Sequence, residues 1–168
     1  MLEKLCPRDQ AESVLALDPA FLLDQGIRGI ILDLDNTLVE WGAETIDDDL
    51  RAWVERFKAA GFRLCIVSNA LPQRVAAVAG VLGIPGVPQA TKPFKTAFRR
   101  ALAILGTRPE ETAVVGDQLF TDILGGNRMD LYTIWTSPIS ETEFVSTKAV
   151  RRLERLVVRR FRKRGLLA

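Results

Sequence analysis

The 168-residue chain has 48% hydrophobic and 26% charged residues, ordinary values for one globular domain large enough to bury a core. Its net charge of +2 hides an asymmetry: residues 148–164 hold nine of the 23 Lys and Arg and one acid, Glu154, leaving 14 basic against 20 acidic residues elsewhere. With no histidine, Ser-His-Asp and Cys-His catalysis, phosphohistidine chemistry and His-ligated zinc are excluded. Cys6 is followed six residues later by Glu12 and Cys65 by Leu71, so neither has the arginine that a cysteine-based phosphatase needs. No apolar run reaches membrane-span length, and the N-terminus does not read as a cleaved signal. Two cysteines, one of them in an apolar run, fit a reducing, cytoplasmic setting.

In chain order, a short helix is expected over Pro19 to Gln25, and Ile30-Ile31-Leu32, with glycines before it, reads as a buried strand. Thr45 is a candidate cap for a helix in which Leu50, Trp53, Val54, Phe57 and Ala60 recur at helical spacing, and Gly61 ends it. The acids Asp47-Asp48-Asp49 suit its first turn. Arg63 to Val67 is a second strand, Pro72 to Leu82 a helix, and a short third strand lies near Val87. Phe94 to Leu105 is a helix, Thr112 to Val115 a fourth strand, Phe120 to Arg128 a short helix, and Leu131 to Trp135 a fifth strand. Asp130 falls in the turn before that strand. Strands alternating with helices predict an α/β fold, a five-stranded parallel sheet covered on both faces. Ligands of such sheets bind beyond the carboxyl ends of the strands. The polar clusters Asp33/Asp35, Ser68-Asn69 and Gly116-Asp117 all fall there.

Asp33 and Asp35 are two apart, so in extended backbone they project to one side. Two carboxylates ending an apolar strand need a cation or donors to offset them. A strand-end serine such as Ser68 mostly satisfies local backbone, a single lysine such as Lys92 is mostly solvated, and Asp117 would also suit a helix start. Asp33-x-Asp35-x-Thr37, Ser68, Lys92 in Thr91-Lys92-Pro93, and Gly116-Asp117 with Asp122 nevertheless follow in the order of four motifs. The chain resembles the haloacid dehalogenase (HAD) superfamily of phosphotransferases. That resemblance implies a HAD-like Rossmannoid three-layer sandwich and an Mg²⁺ cofactor held by the Asp33 and Asp117 carboxylates and the Asp35 backbone carbonyl. It implies Asp33 as nucleophile of an aspartyl-phosphate, Asp35 as proton donor and acceptor, and Ser68, Asn69, Lys92 and Thr37 around the phosphate. Thr37 would also order the motif loop, and Asp122 would position Lys92 or a metal-bound water.

Only 32 residues separate Asp35 from Ser68 and 23 separate Ser68 from Lys92, which leaves no room for a cap domain. An open site suits a large or surface-borne phosphate. More narrowly, Gly29 to Val39, Val67-Ser68-Asn69 and Ala113 to Arg128, with its Gly-Asp-Gln and Gly-Gly-Asn-Arg, resemble the YqeG family. Its eukaryotic relatives dephosphorylate phosphatidylglycerophosphate to phosphatidylglycerol. Ala70, Thr91 and Asp130 depart from that family's pattern. The division expected is a phosphatase domain over 1–147 and a basic helical tail over 148–168. Val150, Leu153, Val157 and Phe161 form its apolar stripe, with Leu156 alongside, among Arg151, Arg152, Arg155, Arg159, Arg162 and Lys163. Such a helix can lie against the domain, dock peripherally on an anionic lipid surface at the inner face of the membrane, or bind RNA. Besides a lipid phosphatase, the open readings are an RNA- or ribosome-assembly-associated binding protein, a phosphatase of a protein or other small ester, and a receiver-like phosphoacceptor. The last is disfavoured because receivers carry the phosphorylated Asp on a later strand.

Overall fold

The computed structural model describes residues 2–43, 45–140 and 145–165, with only backbone for residues 2, 145–149 and 151. Six strands form one parallel sheet: β1 (Asp9–Ala11), β2 (Gly29–Leu32), β3 (Arg63–Val67), β4 (Gly86–Val87), β5 (Thr112–Gly116) and β6 (Tyr132–Thr136), in the order β1-β6-β5-β2-β3-β4. The expected five strands become six because β1 is a polar Asp-Gln-Ala edge with no apolar run to reveal it. It pairs with β6, Asp9 opposite Ile134, next to the Arg8 amide, which donates to the Thr133 carbonyl at 3.0 Å.

β2 is central and buried throughout, as its continuous apolar sequence requires. Ile30 lies opposite Leu64 of β3 and opposite Ala113 of β5. The period of two then sends alternate residues to opposite faces. Ile30, Leu32, Leu64, Ile66 and Val115 meet α2 (Asp48–Ala59) and α3 (Pro72–Leu82) through Trp53, Val54, Phe57, Val75 and Val78. Ile31, Cys65, Val67 and Val114 meet Ala97, Phe98, Ala101 and Leu105 of α4 (Lys95–Leu105). α1 spans Pro19–Asp24, capped by Asp18, which accepts from the Ala20 amide. The cap of α2 is Asp47 rather than Thr45, with Asp48 and Asp49 in the first turn. The helix expected over Phe120 to Arg128 is a π-turn, Leu119–Ile123, running into α5 (Leu124–Asn127). Asp130 has φ 57°, consistent with a turn.

α6 (Val145–Lys163) packs on this last segment: Val158 and Phe161 are buried with Leu5, Leu119 and Ile123. Its buried face is rotated from the expected stripe. Glu154, Val158 and Phe161 point inward with Val157 partly covered, whereas Leu153 and Leu156 are 57% and 60% exposed. The inward carboxylate of Glu154 draws the helix round, because it accepts from the Leu119 amide at 2.6 Å and the Phe120 amide at 3.3 Å. The side chains of Lys148 and Arg151 lie outside the described residues. Among the described residues, no helix is long and apolar enough to cross a membrane.

Candidate active site

Asp33 prolongs β2, its amide donating to the Val115 carbonyl at 2.9 Å. Asp117 follows the end of neighbouring β5, so the adjacency of two strands sets the two acids side by side. Asn36 turns the chain at φ 64°, a left-handed conformation that Asn tolerates, and this folds Thr37 back beneath them. Thr37, expected around the phosphate, lies buried against these two acids. Its hydroxyl donates towards Asp33 Oδ2 at 3.4 Å and Asp117 Oδ1 at 3.3 Å.

Lys92 arrives on the loop between β4 and α4, through a cis Lys92–Pro93 peptide. Its Nζ donates to Asp33 Oδ1 at 2.5 Å and Asp122 Oδ1 at 2.6 Å, with all three side chains at most 10% exposed. Burial works against the charged amine, but Asp122 and Asp33 outweigh it and hold Lys92 above the usual lysine range. Burial pushes the Asp122 carboxyl up to about 6 despite Lys92, and Asp33 pushes the same way. The second Asp122 oxygen accepts from the Gln118 amide at 3.3 Å and the Thr121 hydroxyl at 3.2 Å. This side chain crosses Gly116 so closely that a Cβ there would overlap the carboxyl, which is why Gly precedes Asp117.

Ser68 ends β3, and its Oγ accepts from the Ala70 amide at 3.1 Å. Asn69 Oδ1 accepts from the Lys92 amide at 2.8 Å, so Asn69 places the lysine as well as facing the cleft. Asp35 is held by a residue that the sequence reading missed. Arg74 donates to Asp35 Oδ1 through Nε at 2.8 Å and Nη2 at 2.7 Å, and to the carbonyls of Ala43 at 2.7 Å and Glu40 at 3.2 Å. The signal was a cation in the first turn of α3, where the helix dipole disfavours one. Asp33, Asp35, Ser68, Asn69, Arg74 and Lys92 line an open cleft of about 570 Å³, with the exposed Trp41 and Leu71 at its mouth. Between Asp35 and Ser68 the chain builds α2 and β3, and between Ser68 and Lys92 it builds α3 and β4, with no cap domain over the site among the described residues.

Asp33, Asp117 and Asp122 each offer one carboxylate oxygen, and these lie within 4.8 Å of one another. Three buried hard oxygen donors fit a divalent cation that takes oxygen ligands. Asp122, expected in support of Lys92, does hold that lysine and also joins this acidic group.

A family model for haloacid dehalogenase-like hydrolases matches residues 39–130, beginning just after the Asp33–Thr37 segment. The chain is 37% identical to the probable phosphatase YqeG of Bacillus subtilis over 98% of its own length and 96% of that protein's. The chain belongs to the haloacid dehalogenase-like hydrolases. As a HAD phosphatase it is also 29% identical to the Arabidopsis thaliana phosphatidylglycerophosphate phosphatase 1, over 95% of this chain and 49% of that longer protein. Among solved structures, a cobalt-bound deoxy-D-mannose-octulosonate 8-phosphate phosphatase of Haemophilus influenzae shares the fold, with a TM-score of 0.52 and 18% identity over 67% of this chain and 69% of that one.

Proposed function

We propose that this HAD phosphatase is an Mg²⁺-dependent phosphomonoesterase that works through an aspartyl-phosphate on Asp33, and that its substrate is phosphatidylglycerophosphate. The observation that carries the reading is the buried floor of the cleft, where Lys92 and the acids Asp33, Asp117 and Asp122 meet. Asp33, Asp117 and the Asp35 backbone carbonyl would hold the cation, with Asp122 beside them. When bound, Mg²⁺ offsets the repulsion between a phosphate dianion and an anionic nucleophile.

A carboxylate oxygen of Asp33 attacks phosphorus in line, and the bond from phosphorus to the leaving alkoxide breaks. Asp35 gives that alkoxide a proton. It then takes one from the water that attacks the phosphoenzyme, releasing inorganic phosphate and restoring Asp33. Lys92, the Ser68 hydroxyl and Asn69 hold the phosphoryl oxygens as charge moves onto them. Arg74 keeps Asp35 at the edge of the cleft, where a leaving group departs.

The name of the Arabidopsis thaliana relative supports a lipid substrate, and the uncapped cleft suits a headgroup presented at a surface. We take residues 1–147 as the catalytic unit and 148–168 as an appendage that meets the membrane. The exposed Arg152, Arg155, Arg159, Arg160, Arg162 and Lys163 of α6 suit anionic headgroups. The test is turnover of an aryl phosphate and of vesicle-borne phosphatidylglycerophosphate, with Mg²⁺ and with EDTA. Both activities are expected to vanish in EDTA and return with Mg²⁺, and Asp33→Asn should lower turnover more than about 10³-fold. An active Asp33→Asn variant would sink the mechanism, and an enzyme that cleaves the aryl ester but never the lipid would sink the substrate.

A further inference from the structure

Around the cleft the chain exposes three large apolar side chains: Trp41 at 40%, Leu71 at 65% and Phe94 at 63%. Trp41 and Leu71 stand at the mouth itself, on the loop after Asp35 and at the start of α3. Phe94 lies two residues beyond Lys92, where the Lys92 loop enters α4. All three are at the carboxyl end of the sheet, the end that carries the catalytic groups. Other exposed apolar residues, such as Leu15, Phe21 and Leu23, belong to the chain leading into the opposite end of β2. Single exposed apolar residues are ordinary on a protein surface, but two lining one cleft, with a third on the loop that delivers Lys92, mark a contact surface.

A soluble phosphate ester would use only the polar floor and gain nothing from these apolar side chains. A bilayer matches both parts, because apolar side chains enter its interfacial region and Trp and Phe suit that depth. Charge favours the same occupant. Glu154 fastens α6 to Leu119 and Phe120, in the loop whose Gln118 and Thr121 form a wall of the cleft. The exposed face of α6 combines Leu153 and Leu156 with arginines, a pattern that attracts anionic lipid.

We infer that the mouth of the active site is itself the membrane-contacting surface, with Trp41, Leu71 and Phe94 entering an anionic phospholipid interface while the phosphate reaches Asp33 from the bilayer. This deepens the lipid reading above and rests on it for the identity of the substrate, but the contact can be measured without turnover. The full chain is mixed with phosphatidylcholine vesicles with and without phosphatidylglycerol, and with vesicles carrying brominated acyl chains. Flotation should show binding to the anionic vesicles. Leu71→Ser with Phe94→Ser should weaken it by at least about tenfold.

Brominated chains should quench tryptophan emission, and Trp41→Phe should remove most of the quenching, because Trp53 is buried and Trp135 is partly covered by α6. Phe94→Ser alone, at a residue outside the cleft lining, should cleave an aryl phosphate within about twofold of the parent, and both this and the double variant should keep the parent's circular dichroism. The double variant's cleavage of vesicle-borne phosphatidylglycerophosphate should fall at least about tenfold. Undiminished vesicle binding by the double variant, emission untouched by brominated chains, or binding of RNA with none of vesicles would each overturn the inference. A parent enzyme that is quenched by brominated chains but leaves the lipid uncleaved would instead overturn the substrate reading alone.

Discussion

At the scale of residues, a buried lysine between two aspartates stabilises the fold only as a set. Removing Lys92 leaves Asp33 and Asp122 facing each other with little solvent, and breaking a buried pair in this way costs about 3–5 kcal/mol. Lys92→Ala should therefore lower unfolding free energy by about that amount in EDTA, as measured by urea denaturation. The loss should shrink in excess Mg²⁺, because a cation bound only by the folded acids takes over their neutralisation. Arg74 makes a different demand. Its planar fork serves Asp35 and two loop carbonyls at once, which a lysine cannot reproduce. Arg74→Lys should lower kcat by about tenfold to a hundredfold, with KM for a small aryl phosphate changed less, as steady-state kinetics would show. Asp33, Ser68, Lys92 and Asp117 were legible in the sequence because each ends or follows a strand in a recognisable order. Arg74 was not, since its partners are fixed only by the folding back of the 40–43 loop.

Elements show where one-dimensional reading runs out. The central strands were legible as apolar runs, whereas β1 holds its place by pairing rather than by hydrophobicity. Asn127, in the most family-specific stretch of the sequence, ties this region down. Its amide donates to the carbonyls of Lys4 and Cys6, both at 2.8 Å, and its Oδ1 accepts from the Thr133 hydroxyl at 2.9 Å. A stretch that marks the family resemblance is thus partly architectural. For α6, helical spacing found the helix and the burial of Phe161 but not the rotation that exposes Leu153, because the inward pull of Glu154 leaves no mark in an apolar pattern. Glu154→Ala strips an acceptor from two backbone amides of the π-turn that carries Asp122. It should cost about 1–3 kcal/mol of stability and lower kcat, whereas Glu154→Gln, which keeps a carbonyl acceptor, should recover most of both. Thermal melts alongside an aryl phosphate assay would check this.

For the whole molecule, the two faces of the sheet differ in what they bury. Cys65 lies in the α4 face with no exposure, and burial pushes its thiol up to about 12, with Arg100 pulling slightly the other way. The unfolded chain ionises this thiol near pH 9 while the folded chain does not, so Cys65 favours the fold below that pH and the contribution is lost as pH rises towards 12. The parent should lose thermal stability over that window more steeply than Cys65→Ala, as calorimetry of the two would show. The shortness of the intervals between the motifs was legible from spacing alone, because most of each is taken up by one helix and one strand.

The placing of β2 between β3 and β5 reaches beyond catalysis. Asp33 meets Lys92 across 59 positions of chain, and Thr37 meets Asp117 across 80. During synthesis Asp33 therefore emerges long before the residues that complete its surroundings, and contacts so distant in sequence form slowly. Until β5 pairs with β2, Asp33 lacks Asp117 and Asp122 beside it. The enzyme's competence for phosphate chemistry and the closure of its sheet arrive in the same folding event.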